Sequence, residues 1–227
     1  VPFMQTNDAP AEIIFKFWPW LEANRKRLII AAIAAVVVFF GWFFFAKQKE
    51  QTEIAAGQDF TVFQTSQAES ITPKQVADGY LKIAVQYAGT KAGQRAWLQA
   101  GTVLFSAGNY ADAQAVFQNF LKAESGSSLA LAARLGVASC LEAQGKLEEA
   151  LAAYRAVAAG RNDTPEALDA KFSQGRVLEL QGKLTEAVAA YQEVTRSQLA
   201  GSLANDAAQR VALLQTKLAS VKPAAKS

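Results

Sequence analysis

Three ten-residue segments of this chain, 108–117, 145–154 and 182–191, share the pattern G-[NK]-[YL]-x-[DE]-A-x-x-x-[FY]. Successive copies lie 37 residues apart, twice running. A fixed interval of this length marks a stack of supersecondary units, none of which can bury its apolar face alone. Each position has a physical reason. Gly108, Gly145 and Gly182 fall where one helix ends and the next begins, and glycine tolerates the left-handed conformation such a junction needs. The acidic residue before the recurring alanine lies in a first helical turn, where negative charge suits the helix dipole. Ala113, Ala150 and Ala187 are small, so two helices can approach there, and they are expected to be buried. Phe117, Tyr154 and Tyr191 follow four residues on, on the same face, and are expected to fill the space between neighbouring helix pairs. With 46 alanines, about a fifth of the 227 residues, the chain reads as all-α.

The repeat resembles the tetratricopeptide repeat. Its first copy, Trp97-x3-Gly101-x8-Tyr110-x2-Ala113-x3-Phe117, has that family's spacing. In the later copies Arg134 and Lys171 stand at the tryptophan position, and Ala138 and Gly175 at the small one. The period exceeds the family's usual ~34 residues by about three, which places the extra length in the loops 126–128 and 160–165. The resemblance spans 73–220 and implies an α-solenoid whose concave groove is lined by the first helix of each pair. Carried onto this sequence, the groove positions are Arg95, Leu98, Thr102 and Phe105 in the first repeat, and Leu135, Ser139 and Glu142 in the second. In the third they are Asp169, Phe172, Arg176 and Glu179. The Lys/Asn/Arg set by which some family members clamp a terminal carboxylate is not present, since Leu98 and Thr102 occupy two of its positions. A surface mixing Phe and Leu with charges suits a partner's helix or extended peptide. The alternative is that these side chains pack against the helix at 52–69 or against the C-terminal cap.

Flanking pieces complete the array. Residues 47–72 form a connecting segment, helical over 52–69. Thr72 is an N-cap with Pro73 in the first helical position, opening a helix to about Ala88. Residues 202–219 form a final, solvent-facing cap helix with Ser202 as its N-cap, and the tail 221–227 is expected to be loose.

Residues 28–46 read LIIAAIAAVVVFFGWFFFA, 19 residues without a charge. At ~1.5 Å per residue this covers about the 30 Å hydrocarbon layer of a bilayer, so a transmembrane helix is expected. A cleaved signal peptide has a shorter apolar region and small residues before its cleavage site, whereas Phe44 stands two positions before Ala46. A buried core helix is the other alternative. Lys16, Arg25, Lys26 and Arg27 on one side outnumber Lys47 and Lys49 on the other, which places the segment 1–27 in the cytoplasm. Ile13, Ile14, Phe17 and Leu21 fall at helical spacing, so that segment either lies on the membrane face or simply leads into the span. Ala31, Ala32, Ala34, Ala35 and Gly41 are small enough for a second transmembrane helix to pack closely.

A short cytoplasmic N-terminus, one span and a tetratricopeptide-like domain, with the run Phe117-x2-Phe120-Leu121, resembles the YfgM-like family of ancillary Sec translocon subunits. That resemblance implies a single-pass protein of the bacterial inner membrane with a periplasmic repeat domain. It also implies a scaffold or adaptor that assists the translocon or periplasmic chaperones. The alternative is a structural subunit of a larger membrane complex, held through its span.

Composition argues against catalysis. The chain has no histidine, which removes the commonest general base and every histidine-containing zinc site. The single Cys140 lies among Val137 and Leu141 and reads as a packed, inert thiol. Glu148 and Glu149 are adjacent and point to different helix faces. Neither a phosphate-binding loop nor a metal-ligand cluster is found, so no cofactor and no metal are expected. Residues 51–227 carry 17 basic and 16 acidic residues, a near-neutral body unlike the basic stripe of a nucleic-acid binder. The expected partners are proteins, membrane lipid and other transmembrane helices.

Overall fold

A computed structural model of the chain describes residues 20–66, 72–160 and 164–221. The regular structure among them is helical. After a helical stretch at 20–23 and a turn at Asn24 come α1 (Arg25–Thr65), α2 (Pro73–Gln86), α3 (Lys91–Ser106), α4 (Tyr110–Ala123) and α5 (Ala130–Ala143). They are followed by α6 (Leu147–Gly160), α7 (Pro165–Leu180), α8 (Leu184–Thr195) and α9 (Ser202–Val221). The chain divides into two compact units, Val1–Thr52 and Glu53–Ser227.

The first unit contains the apolar run. Its most apolar 18-residue window has a mean hydropathy of 2.8, and none of it is buried. Phe44 and Val38 stay more than two-thirds exposed. This differs from a soluble core helix, which would hide such side chains. The expected interfacial residues Ile13, Ile14 and Phe17 lie outside the described residues.

In the second unit, local sequence sets the helix ends. Thr72 accepts a hydrogen bond from the Gln75 amide at 3.3 Å while the Gln75 side chain accepts from the Thr72 amide at 2.9 Å, a reciprocal cap. Thr90 and Thr164 cap α3 and α7 with one bond each, accepting from the amides of Gly93 and Ala167. At the other end, Gly108, Gly145 and Gly182 have φ of 80°, 76° and 74°. The amides that follow them, of Asn109, Lys146 and Lys183, each donate at 2.9 Å to the carbonyl five residues back, of Leu104, Leu141 and Leu178. This is one C-terminal motif built three times, and it is why the repeat begins with glycine. Some expected boundaries differ. Helix α2 stops at Gln86 rather than near Ala88, Gly160 belongs to α6 and Pro165 to α7 rather than to the loop between them, and Ser202 is the first residue of α9 rather than its N-cap. Positions 67–71, 161–163 and the tail beyond 221 lie outside the described residues.

Packing follows the 37-residue interval. Ala113, Ala150 and Ala187 are fully buried, as are Tyr154 and Tyr191, with Phe117 nearly so. The Phe117 ring is wedged between two glycines of different repeats. A Cβ on Gly101 in α3 would lie 2.5 Å from it, and one on Gly136 in α5 would lie 2.7 Å from it. Tyr191 meets Gly175 in α7 in the same manner. The backbones of α3, α5, α7 and α9 approach one another in succession, whereas among the described residues those of α4, α6 and α8 stay further apart, α6 reaching α8 through the Arg155–Glu186 ion pair at 3.8 Å. The first helices therefore line the inner, tighter radius. Ala96, Ala133, Ala170 and Ala207 form a second fully buried ladder at 37-residue steps. By that register α9 is the first helix of a fourth repeat, not only a cap.

The C-terminal part of α1 belongs to this unit. Phe63 lies edge-on to Tyr80 with ring centroids 4.9 Å apart, Asp59 accepts from the Tyr87 hydroxyl, and Glu53 accepts from the Lys91 amide at 3.1 Å. The connecting segment thus packs along α2 and the start of α3.

One polar group breaks the pattern. Gln144 donates to Gln114 at 2.7 Å. One repeat on, where Leu151 stands at the register of Gln114, both polar atoms of the counterpart Gln181 side chain are buried without a hydrogen bond. An unsatisfied buried amide costs about 1–3 kcal/mol. Gln181→Met should therefore leave stability unchanged or raise it, whereas Gln144→Met, which orphans Gln114, should lower it. Thermal melts of the two variants check this contrast.

Candidate concave groove

The inner helices carry the groove positions at i, i+4 and i+7, so one face of each helix repeats the same three sites. Leu98, Leu135 and Phe172 share one register position, and Thr102, Ser139 and Arg176 the next. Leu98, Thr102, Phe105, Leu135 and Ser139 line a cavity of about 260 Å³ between α3 and α5, with Phe117 at its base. Phe105, Leu135, Ser139, Glu142, Asp169, Phe172 and Arg176 line an adjoining cavity of about 600 Å³ between α5 and α7. The two share Phe105, Leu135 and Ser139, so they form one groove. Two of the sequence-derived positions stand apart from it. Arg95 is exposed and lines neither cavity, and Glu179 turns to the Tyr191 hydroxyl and to Arg210 of α9.

The groove floor is a fixed polar network. Arg176 donates from Nε and Nη2 to the two carboxylate oxygens of Glu142, both at 2.7 Å, a fork that joins α7 to α5. The Tyr154 hydroxyl donates to the same carboxylate at 2.7 Å. Thr102 and Ser139 donate back to the carbonyls of Leu98 and Leu135, at 2.9 and 3.0 Å. The hydrogen bond to Glu142 raises the Arg176 guanidinium above its ordinary value and keeps it charged. Asp169 has no such partner. Desolvation by the groove wall, and then the charge of Glu166, raise its carboxyl.

Burial pushes the phenols of Tyr154 and Tyr191 up to about 12. The unfolded value is about 10, so the folded state holds these protons more tightly. Their contribution to stability is complete below pH ~10 and is lost as pH rises through ~12. Urea midpoints should fall between those values, and replacing both residues with Phe should flatten that fall.

Sequence reasoning missed the groove's continuation onto α9. Asp206, Gln209, Arg210 and Leu213 line, with Phe172, a further cavity of about 420 Å³. The signal was present: Asp206, Gln209 and Leu213 stand 37 residues after Asp169, Phe172 and Arg176. Cys140 is fully buried and its thiol is pushed up to about 11 by desolvation, the environment of an unreactive thiol. Among the described residues no three of His, Cys, Asp and Glu come together as metal ligands.

Antiparallel helix pairs stacked at a constant interval, with their first helices lining a continuous groove, define a repeat solenoid of the tetratricopeptide type. The family profile described as the tetratricopeptide repeat-like domain matches residues 18–223, and the chain belongs to that family. Among solved structures it is similar to PcrH from Pseudomonas aeruginosa, at 18% identity and a TM-score of 0.49 over 56% of this chain and 94% of that one. The Yersinia enterocolitica type III secretion chaperone SycD, in complex with a peptide of the translocator YopD, is also 18% identical. Its TM-score is 0.46 over 53% of this chain and 91% of that one. MamA is 16% identical, with a TM-score of 0.48 over 78% of this chain and all of the other. A comparison with curated protein sequences gives no match.

Proposed function

We propose that the protein is a membrane-anchored scaffold whose concave groove binds a segment of a partner protein. The observation that carries this reading is the groove itself. Leu135 and Phe172 are only partly covered and line a continuous 600 Å³ cavity over a floor whose polar groups are already paired. An apolar, preformed surface on rigid helices suits a partner's helix or extended peptide. The exposed apolar helix would span the inner membrane with its basic N-terminal flank in the cytoplasm, which puts the repeats in the periplasm. In that compartment the resemblance to the YfgM-like family makes the Sec translocon and periplasmic chaperones the partners to test.

Photo-crosslinking residues at Leu135 and Phe172 should give protein adducts in cells, whereas one at exposed Glu149 on α6 should not. Protease added to inverted inner-membrane vesicles should leave the repeats intact, and their digestion from that side would overturn the topology. A second reading, a structural subunit held through its span, is supported by the small residues Ala31, Ala32, Ala34, Ala35 and Gly41 along that span, which let a second helix approach closely. Replacing the span with a plain leucine helix separates the two. Partners kept after the exchange support the scaffold, and partners lost support the subunit.

A further inference from the structure

We propose that the groove selects a cationic partner segment, one whose apolar side chains rest on Leu135 and Phe172 while its lysine or arginine side chains meet Asp169 and Asp206. The inference rests on the groove being the partner-binding surface and specifies the chemistry of what binds there.

Charge bookkeeping along the wall carries the argument. Phe172 lines both the α5–α7 cavity and the α7–α9 cavity, so Asp169 in the first and Asp206 in the second face one continuous surface. The two cations of that wall are already engaged. Arg176 is held by both oxygens of Glu142 at 2.7 Å, and Arg210 pairs with Glu179 at 3.6 Å. The nearby Lys171 is taken by Glu193 at 3.0 Å. Asp169 and Asp206 are left with no hydrogen bond and no ion pair among the described residues, although their neighbours are paired. An uncompensated carboxylate beside apolar surface repels an acidic ligand and attracts a basic one.

The two carboxylates also have a defined spacing. They occupy the same register position one repeat apart, on inner helices that touch. Touching helices lie about 10 Å axis to axis. A polyproline II-like chain advances ~3.1 Å per residue with about three residues per turn, so basic residues three positions apart share one face and match that step. Apolar residues between them then flank that face beside Phe172.

The test uses the full chain in a neutral, sugar-headed detergent, with empty micelles as the blank. Fluorescence anisotropy compares the labelled peptide Ser-Lys-Leu-Phe-Lys-Leu-Ser with the same peptide carrying Glu at both Lys positions. Two partly exposed charge pairs, reversed in sign by the exchange, make the lysine peptide bind about tenfold tighter. In the double variant Asp169→Asn/Asp206→Asn that preference should shrink to within about twofold. The helical signal and melt of this variant should match the parent, because both residues are exposed. Equal binding of the two peptides, or a preference that survives the double variant, overturns the proposal. If the peptides bind equally and Leu135→Asp abolishes binding, the groove remains a binding surface and only the charge selection falls. If neither peptide binds, both readings fall.

Discussion

Ala150→Arg should prevent folding of the repeats or lower their melting temperature by about 10 °C, the largest effect expected of any single change here. Ala150 is fully buried in α6, within a core cluster that includes Ala138 of α5 and Leu178 of α7. An arginine there must either push two helices apart or bury an unpaired charge, at a cost of at least about 3 kcal/mol. The site is internal to the stack, since α6 contacts both α5 and α7, so two interfaces are lost together. Glu149→Gln, one residue away on the exposed side, should stay within about 0.5 kcal/mol of the parent. Thermal melts of the full chain, followed by the helical circular-dichroism signal, compare the two. A parent-like melt for Ala150→Arg would mean that the recurring alanine is not where neighbouring helices meet.

Phe117→Ala should cost about 3–5 kcal/mol, because it removes a nearly buried ring from the joint between two repeats. A more diagnostic result is a change of sign at Gly101. In an ordinary helix Gly→Ala stabilises by about 1 kcal/mol. Here the new Cβ would lie 2.5 Å from one edge of the Phe117 ring, and the ring cannot retreat because Gly136 lies against its other edge. Gly101→Ala should therefore destabilise the parent by about 1 kcal/mol or more despite its helix propensity. In a Phe117→Leu background the same substitution should become stabilising. Denaturant titrations of the four proteins measure the coupling, and additive effects would show that ring and glycine are not in contact.

These two sites show what was legible from one chain. The interval of 37 residues, the left-handed glycines and the Thr72-Pro73 helix start depend on backbone preferences within a few residues, and those preferences are carried by the residue types themselves. Burial of the recurring alanine and aromatic could be read for the same reason, since a side chain that is small or ring-shaped at every copy has one repeated environment. The apolar run at 28–46 was equally plain from composition, because its length and lack of charge are properties of the segment alone.

Other features depended on residues a full repeat away. Glu142 reads in sequence as a charged groove residue. In the structure its carboxylate is committed to Arg176 of the next repeat and to Tyr154 of its own, and is no longer offered to a ligand. Arg95 and Asp169 share a register position, yet only Asp169 lines a cavity. Gln144 and Gln181 are the same residue at the same copy position, yet one is paired and the other is not, because Gln144 meets Gln114 whereas a leucine, Leu151, stands at that register one repeat on. The all-α class, the glycine junctions between helices and the interval at which the pairs stack were legible in the chain, because they follow from short-range backbone and side-chain preferences. Contacts between repeats decided which charges cancel, as at Glu142 and Arg176, and which glutamine is paired, because those outcomes depend on side chains that meet from neighbouring helices.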